Sequence, residues 1–175
     1  FVPLDGYFFT RARENFMKTC LITGASGFVG RHLASALQQA LDPWQLRLVG
    51  RSTDRLTANA GATRHAISTI DGNTDWSGLL QGVDVVVHAA ARVHVLHDTA
   101  TDALALYRRT NTEGTLRLAQ QAVAAGVRRM VFLSTIGIHG GGQDHPYQET
   151  DTPAPHSPYA QSKLDAERGL LALAA

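Results

Sequence analysis

The stretch Thr23-Gly24-Ala25-Ser26-Gly27-Phe28-Val29-Gly30 decides the fold of this 175-residue chain. The apolar segment 19–22, immediately before it, has the length and composition of a buried strand. After it, apolar side chains recur at helical spacing, at Val29, Leu33, Ala34, Ala36 and Leu37. The glycines are therefore predicted to lie on a turn that joins a strand to a helix.

The three glycines of this turn suit a loop that holds a dinucleotide. Gly24 permits the tight turn, Gly27 lets the backbone approach a pyrophosphate, and Gly30 lets the helix pack close to its strand. The N–H groups of the first helical turn and the positive end of the helix dipole then face the phosphates. The spacing differs from the commonest dinucleotide fingerprint, so a glycine-rich turn without a ligand is the alternative.

Composition restricts the class of protein. Hydrophobic residues make up 44% of the chain and charged residues 18%, which is typical of a globular domain with a sizeable core. The formal net charge of +1 gives no reason to propose nucleic acid or an acidic membrane as a partner. The single cysteine, Cys20, excludes an internal disulfide and fits a cytoplasmic location, where we read it as a core residue.

The chain divides into two parts of unequal character. Residues 1–16 show no sustained helical or strand period, and Met17 stands directly before the first predicted strand. We interpret 1–16 as an extra N-terminal segment, partly disordered, and 17–175 as a single dinucleotide-binding domain.

Strands and helices alternate along the second part. After the first strand, further strands are predicted at 45–50, 63–67, 83–88 and 129–134. Helices are predicted at 28–41, 75–80 (with Asp75 as the N-cap), 102–125 and from 158 to the end. This alternation indicates a doubly wound, Rossmann-like α/β fold with a parallel sheet in the order 3-2-1-4-5. Its ligand crevice is expected at the carboxyl ends of the strands.

Tyr159 and Lys163 are the residues that suggest chemistry. They lie four residues apart, which places a phenol and an ammonium on one face of a helix. A nearby ammonium stabilises phenolate, so we expect the pKa of Tyr159 to fall below its usual value near 10. Thr135 follows a predicted strand that ends at the same crevice and is placed to hold a reacting oxygen. An ordinary surface pair on a helix is the alternative interpretation.

Five segments together resemble a known family. They are the glycine turn, His88-Ala89-Ala90-Ala91, Asn111-Thr112-Glu113-Gly114-Thr115, Phe132-Leu133-Ser134-Thr135, and Tyr159 with Lys163. In this order they look like the extended short-chain dehydrogenase/reductase family, specifically the NAD-dependent epimerase/dehydratase group that acts on nucleotide sugars. The resemblance covers about residues 17–173.

The resemblance implies a role for each matching residue. Tyr159 is the catalytic acid/base, Lys163 binds the nicotinamide ribose and lowers the pKa of Tyr159, and Thr135 is the catalytic hydroxyl. Asn111 helps to position the catalytic groups. The residues implied in cofactor binding are Gly24, Ser26, Gly27, Phe28, Val29, Gly30, Arg51, Ile70, Ala89, Ala90, Ala91, Ser134, Tyr159 and Lys163.

Some positions depart from the family pattern. Arg51 stands where many NAD-dependent members carry an acidic residue, which favours NADP over NAD, unless Arg51 simply faces solvent. Ile136 and Gly137 replace the Asp-Glu pair of the dehydratases, so sugar dehydration is disfavoured. The histidines at 94, 97, 139 and 145 lack a completing ligand set, and we expect no metal.

The expected function is therefore a choice between two reactions on a nucleotide sugar. One is 4-epimerisation with NAD, and the other is reduction of a 4-keto sugar with NADPH; both use hydride transfer and tyrosine acid/base catalysis. Family members are longer, so we expect the C-terminal substrate domain to be missing from this chain. A homodimer through the 102–125 helix and the Tyr159 helix is also implied. The alternative is a non-catalytic dinucleotide-binding fragment or sensor module.

Overall fold

Five parallel strands form one sheet in the computed structural model, in the order β3-β2-β1-β4-β5. Their bounds are Thr19–Thr23, Gln45–Gly50, Ala62–Ala66, Val85–His88 and Arg129–Phe132 for β1 to β5. The structure describes residues 17–40, 44–56, 61–93, 102–142 and 144–174. The predicted strand order is confirmed, whereas the segment 1–16 lies outside the described residues.

Helices cover both faces of this sheet. They are α1 Phe28–Gln38, α2 Ser77–Leu80, α3 Ala103–Tyr107, α4 Gly114–Ala124 and α5 Pro158–Ala174. A π-helical turn, Arg108–Glu113, joins α3 to α4 and is called the π segment below. The single helix predicted over 102–125 is therefore a continuous helical stretch with a wider turn in its middle. A 3₁₀ turn, Ile136–His139, begins the region that the sequence predicted as a loop.

Element ends differ from the predicted ones in several places. The helix α1 ends at Gln38, and Leu41, its predicted end, lies outside the described residues. The strand β4 begins at Val85 because the Val83 amide bonds back to Leu80 in the turn after α2. The N-cap of α2 is Trp76, although the predicted cap, Asp75, does accept the Ser77 N–H at 2.9 Å.

The core lies in two layers, one on each face of the sheet. Alternate side chains of β1 divide between them, so Cys20 and Ile22 pack with α1 while Leu21 packs with α2 and α4. Cys20 is 1% exposed, and burial raises the pKa of its thiol to about 11, which confirms it as a core residue. Both layers hold the strands rigid beneath their carboxyl ends.

The strand register brings three residues to the same level of the sheet. Thr23 pairs with His88 across β1 and β4, and His88 pairs with Phe132 across β4 and β5. All three stand at the last position of their strand. The segments that follow these strands therefore leave the sheet side by side, as the sequence predicted for the ligand crevice.

Candidate dinucleotide and catalytic site

The glycine turn fits closely against the segment after β4. Gly24 has a φ of +66°, and a Cβ built on it would lie 2.7 Å from the Ala90 nitrogen. A Cβ on Gly30 would lie 2.8 Å from the Ala25 Cα and would also collide with the Gly24 carbonyl oxygen. Side chains at these two positions would push apart the turn, the helix and the Ala90 backbone, so the expected roles of Gly24 and Gly30 are supported by packing.

The N-terminus of α1 is built to accept an anion. Gly27 is the N-cap and has no side chain to satisfy the N–H groups of the first turn, which reads Phe28-Val29-Gly30-Arg31 and carries no carboxylate. Phe28 is 75% exposed, and Ser26 is half-buried beside it. A helix of 11 residues with an open first turn offers both N–H donors and the positive end of its dipole. These features fit a dinucleotide pyrophosphate.

The other residues expected to contact the cofactor lie at different parts of this crevice. Ala89, Ala90 and Ala91 are half-buried directly after β4, and Ser134 is exposed two residues after β5. Arg51 is exposed after β2. Ile70 instead packs between the sheet and α4, where its Cγ2 would lie 2.6 Å from a Cβ on Gly114.

Asp71, in the loop after β3, forms an ion pair with Arg109. Asp71 accepts from the Arg109 guanidinium at 3.0 Å. The Asn73 N–H and Arg109 lower the pKa of Asp71, which keeps it ionised. Thr69 is exposed, and its carbonyl accepts from the Thr74 hydroxyl at 3.1 Å. Arg109 thus joins the π segment to the loop after β3.

Lys163 is buried on α5, the helix that carries Tyr159. It is 2% exposed, and its Nζ lies 3.9 Å from the centroid of the Phe132 ring. Burial lowers the pKa of Lys163 to about 8, partly opposed by Glu167. An aromatic face stabilises an ammonium in such a position. Near neutral pH this site therefore holds a positive charge beneath the crevice.

Tyr159 lies in the first turn of α5, half-buried, with the edge of its ring against Tyr107 at a centroid distance of 6.1 Å. Burial raises the pKa of Tyr159, and Tyr107 raises it further. The expectation that Lys163 depresses this pKa is wrong for the chain by itself, because desolvation of the phenolate dominates. In the chain by itself the phenol is therefore protonated at neutral pH.

Thr135 lies beside the start of the Tyr159 helix. It is the N-cap of the 3₁₀ turn, where its Oγ1 accepts the Gly137 N–H at 3.2 Å. A Cβ built on Gly137 would be 3.4 Å from that Oγ1 and 3.6 Å from the Ala160 Cβ. The turn therefore places Thr135 near the start of the helix that carries Tyr159.

Asn111 links the crevice to the Tyr159 helix. It is 1% exposed and lies in the π segment, a type of turn that is frequent at functional sites. Its Oδ1 accepts the Arg92 N–H at 2.7 Å, and its Nδ2 donates to the Arg92 carbonyl and to Ser162 Oγ, both at 3.0 Å. Ser162 Oγ in turn donates to the Tyr159 carbonyl at 2.7 Å. Asn111 therefore fixes the segment after β4 relative to the Tyr159 helix.

Sequence reasoning missed several of these supporting residues. Ser162 and Thr112 join the π segment to α5, since Thr112 Oγ1 donates to the Ser162 carbonyl at 2.8 Å. Tyr107 contacts Tyr159 from a helix more than 50 residues earlier in the chain. The sequence signal for Ser162 and Thr112 was a small polar residue at a helical position, and Tyr107 carried no such signal.

A metal site is not formed by the part of the chain that the structure describes, where no three His, Cys, Asp or Glu side chains gather. His139 and His145 lie within that part, whereas His94 and His97 lie outside it. Among the described helices, none is both long and apolar enough to cross a membrane.

Fold and site together define a dinucleotide-binding α/β protein with a Tyr-Lys pair at the carboxyl ends of its strands. Residues 20–175 match the NAD dependent epimerase/dehydratase family, and the chain belongs to that family. The predicted family is confirmed.

Curated relatives carry related activities. The chain is 38% identical over 160 residues to a UDP-glucose 4-epimerase of Vibrio cholerae, covering 90% of this chain and 47% of that protein. It is 31% identical over 162 residues to a dTDP-glucose 4,6-dehydratase of Streptomyces griseus, covering 88% of this chain and 48% of that protein. The chain thus spans about half the length of these relatives.

Solved structures give the same fold. MoeE5 in complex with UDP-glucuronic acid and NAD superposes with a TM-score of 0.77 at 33% identity, covering 90% of this chain and 50% of that one. The UDP-glucuronic acid 4-epimerase of Bacillus cereus in complex with NAD superposes with a TM-score of 0.73 at 26% identity, covering 88% of this chain and 52% of that one.

Proposed function

We propose that this chain is the cofactor-binding and catalytic part of an NAD-dependent epimerase that inverts the 4-hydroxyl of a nucleotide sugar. The observation that carries the proposal is the placement of the glycine turn after β1 and of Thr135 after β5, with the turn that Thr135 caps near Ala160 on the Tyr159 helix. The 4-epimerases among its relatives and structural neighbours support it.

The cofactor would lie along this edge. The pyrophosphate would be held by the first-turn N–H groups after Gly27, and Ala89 to Ala91 would line the dinucleotide where it crosses β4. NAD is favoured by the NAD complexes among the neighbours, although Arg51 had suggested NADP. Arg51 is exposed, so its guanidinium is free to move aside from a ribose that has no 2′-phosphate. When bound, NAD accepts a hydride from the sugar and returns it.

The chain's own residues would handle the proton. Thr135 Oγ1 is placed to hydrogen-bond the sugar oxygen, and Tyr159 would take the hydroxyl proton on oxidation and give it back on reduction. Lys163 lies one helical turn further on. Because burial keeps Tyr159 protonated in the chain by itself, uptake of the hydroxyl proton requires that the Lys163 ammonium favour the phenolate once cofactor and sugar are bound. Asn111 would keep the Tyr159 helix at a fixed distance from the segment after β4.

Two other reactions are less well supported. Reduction of a 4-keto sugar uses the same groups, and it stays a prediction that rests on Arg51. Dehydration, the activity named for several relatives, is disfavoured by Ile136 and Gly137 after Thr135. The non-catalytic alternative predicts that Tyr159 has no role in any turnover.

Tyr159→Phe in the longer protein that contains this chain tests the proposal. With UDP-glucose as the probe, we expect formation of the 4-epimer to fall about 10²- to 10⁴-fold, the usual contribution of a general acid/base. NAD affinity, measured by calorimetry, is the control and should change little, because the ring remains. Turnover that survives the substitution would overturn the proposed chemistry, and absence of NAD binding would overturn the cofactor site.

We also propose a homodimer, packed through α3, α4 and α5 of each copy. The two longer helices carry exposed apolar side chains, namely Val123, Leu171 and Leu173. Sedimentation of the wild type against a Val123→Glu, Leu171→Glu variant tests this, and a wild type that sediments as a monomer would contradict it. A cytoplasmic location likewise stays a prediction.

A further inference from the structure

A buried chain of hydrogen bonds crosses the molecule beneath the crevice. The Ala90 N–H donates to Thr23 Oγ1 at 3.2 Å, and Thr23 Oγ1 lies 2.6 Å from His88 Nδ1. On the other side of the ring, His88 Nε2 lies 3.0 Å from Thr115 Oγ1, which donates to the Asn111 carbonyl at 2.6 Å. The chain thus joins β1, β4 and the helix α4 to the π segment.

The donor and acceptor in each of these hydrogen bonds follow from the number of hydrogens that each group carries. A threonine hydroxyl has one hydrogen, and that of Thr115 goes to the Asn111 carbonyl. Thr115 Oγ1 must therefore accept from His88, so the imidazole proton is on Nε2 and Nδ1 is an acceptor. Thr23 then donates to Nδ1 while it accepts the Ala90 N–H. This arrangement alone satisfies every donor and acceptor in the series of hydrogen bonds from Ala90 to Asn111.

The imidazole is also confined to the neutral form. His88 is 1% exposed, and burial together with the nearby Lys163 ammonium lowers its pKa to about 3. Its ring stacks against Phe132 at a centroid distance of 6.1 Å, and the Lys163 Nζ lies 3.9 Å from the centroid of the same Phe132 ring. A neutral ring with one proton has two possible tautomers, and the partners choose between them.

We propose that His88, held as the Nε2–H tautomer between Thr23 and Thr115, is a positioning residue that ties Ala90 to Asn111. The Ala90 backbone contacts Gly24 of the cofactor turn, and Asn111 bonds to Ser162 on the Tyr159 helix. His88 therefore keeps the cofactor turn and the catalytic helix in one fixed arrangement. The positioning role rests on the proposed function, whereas the assignment of the tautomer does not depend on it.

The first test is nitrogen-15 NMR of the imidazole in the chain labelled at histidine. His88 is expected to show a protonated Nε2 and an unprotonated Nδ1 at neutral pH, with its signals assigned by their loss in His88→Gln. Thr115→Ser keeps the hydroxyl and should preserve this pattern, whereas the isosteric Thr115→Val should shift it toward the other tautomer. A wild type with its proton on Nδ1, or with both nitrogens protonated, would overturn the proposal.

The second test asks whether a change at Thr115 alters the backbone beside the cofactor turn. Thr115→Val should speed hydrogen exchange of the Ala90 amide and weaken NAD binding about tenfold, while Thr115→Ser stays within about twofold of the wild type. Equal NAD affinity in the two variants would overturn the positioning role. If the wild type binds no NAD while the tautomer and the exchange result hold, the proposed function fails and the structural link remains. If Thr115→Val does not fold, the wild-type tautomer and Thr115→Ser still decide the link.

Discussion

The Nζ of Lys163 lies 3.9 Å from the centroid of the Phe132 ring, which places a charged group on an aromatic face at the end of β5. This contact offsets part of the cost of burying an ammonium that is 2% exposed. It also sets where the positive charge of the candidate site resides. The charge lies against the Phe132 ring, and Lys163 is one helical turn from Tyr159 along α5.

The pKa of Lys163 is expected near 8, well below its usual 10.5, and carbon-13 NMR of lysine labelled at Cε measures it. Phe132→Leu should lower this pKa further, because it removes the aromatic face that favours the charged form. Between pH 8 and about 9 Lys163 makes the unfolded chain bind more protons than the folded one, so the free energy of unfolding should rise with pH, whereas above pH 9 the raised pKa of the Cys20 thiol opposes this rise. Lys163→Met should abolish that rise, and a rise that persists would contradict the assignment.

Tyr159 should titrate above pH 10 in the chain without cofactor, since burial and Tyr107 raise its pKa. Ultraviolet titration of the wild type minus Tyr159→Phe isolates this phenol. Tyr107→Phe should bring the pKa down toward 10, because the second titrating phenol is removed while the ring contact stays. If Tyr159 instead ionises near neutral pH in the free chain, Lys163 controls it and the burial argument fails.

Substitution of the glycines should separate folding from binding. Gly30→Ala should destabilise the fold by more than about 2 kcal/mol, because its Cβ would overlap the Gly24 backbone. Gly27→Ala meets only one neighbour, at 3.1 Å, so it should fold and yet weaken NAD binding, since its Cβ occupies the approach to the pyrophosphate. Urea unfolding and calorimetry measure the two effects.

Gly78→Ala is the matched control for both variants. It lies in α2 with open space around its Cβ, so alanine should be neutral or stabilise by about 0.5–1 kcal/mol. If Gly27→Ala binds NAD as tightly as Gly78→Ala does, the first turn of α1 is not the phosphate site.

Calorimetry with NADH and NADPH side by side decides the role of Arg51. We expect NADH to bind at least as tightly as NADPH, in line with the NAD complexes of the structural neighbours. Arg51→Gln should leave the NADH affinity within about twofold and lower only the affinity for NADPH, since the guanidinium pairs with a 2′-phosphate alone. A clear NADPH preference in the wild type would favour the reductase over the epimerase.

The amino-acid sequence by itself determined the fold, since its signals are local. Apolar periodicity located every strand of the sheet within two residues at each end, and Gly24 to Gly30 marked the turn that joins β1 to α1. The spacing of Tyr159 and Lys163 likewise placed both residues on one helix, because residues four apart share a face.

Tertiary structure alone decided the electrostatics and the supporting contacts. The pKa of Tyr159 rises because the fold buries the phenol against Tyr107, which no local pattern shows. The hydrogen-bond partners of His88 lie 65 and 27 residues away along the chain, at Thr23 and Thr115. Hydrogen bonding and desolvation act through space, so they depend on which distant side chains the completed sheet brings to the same level.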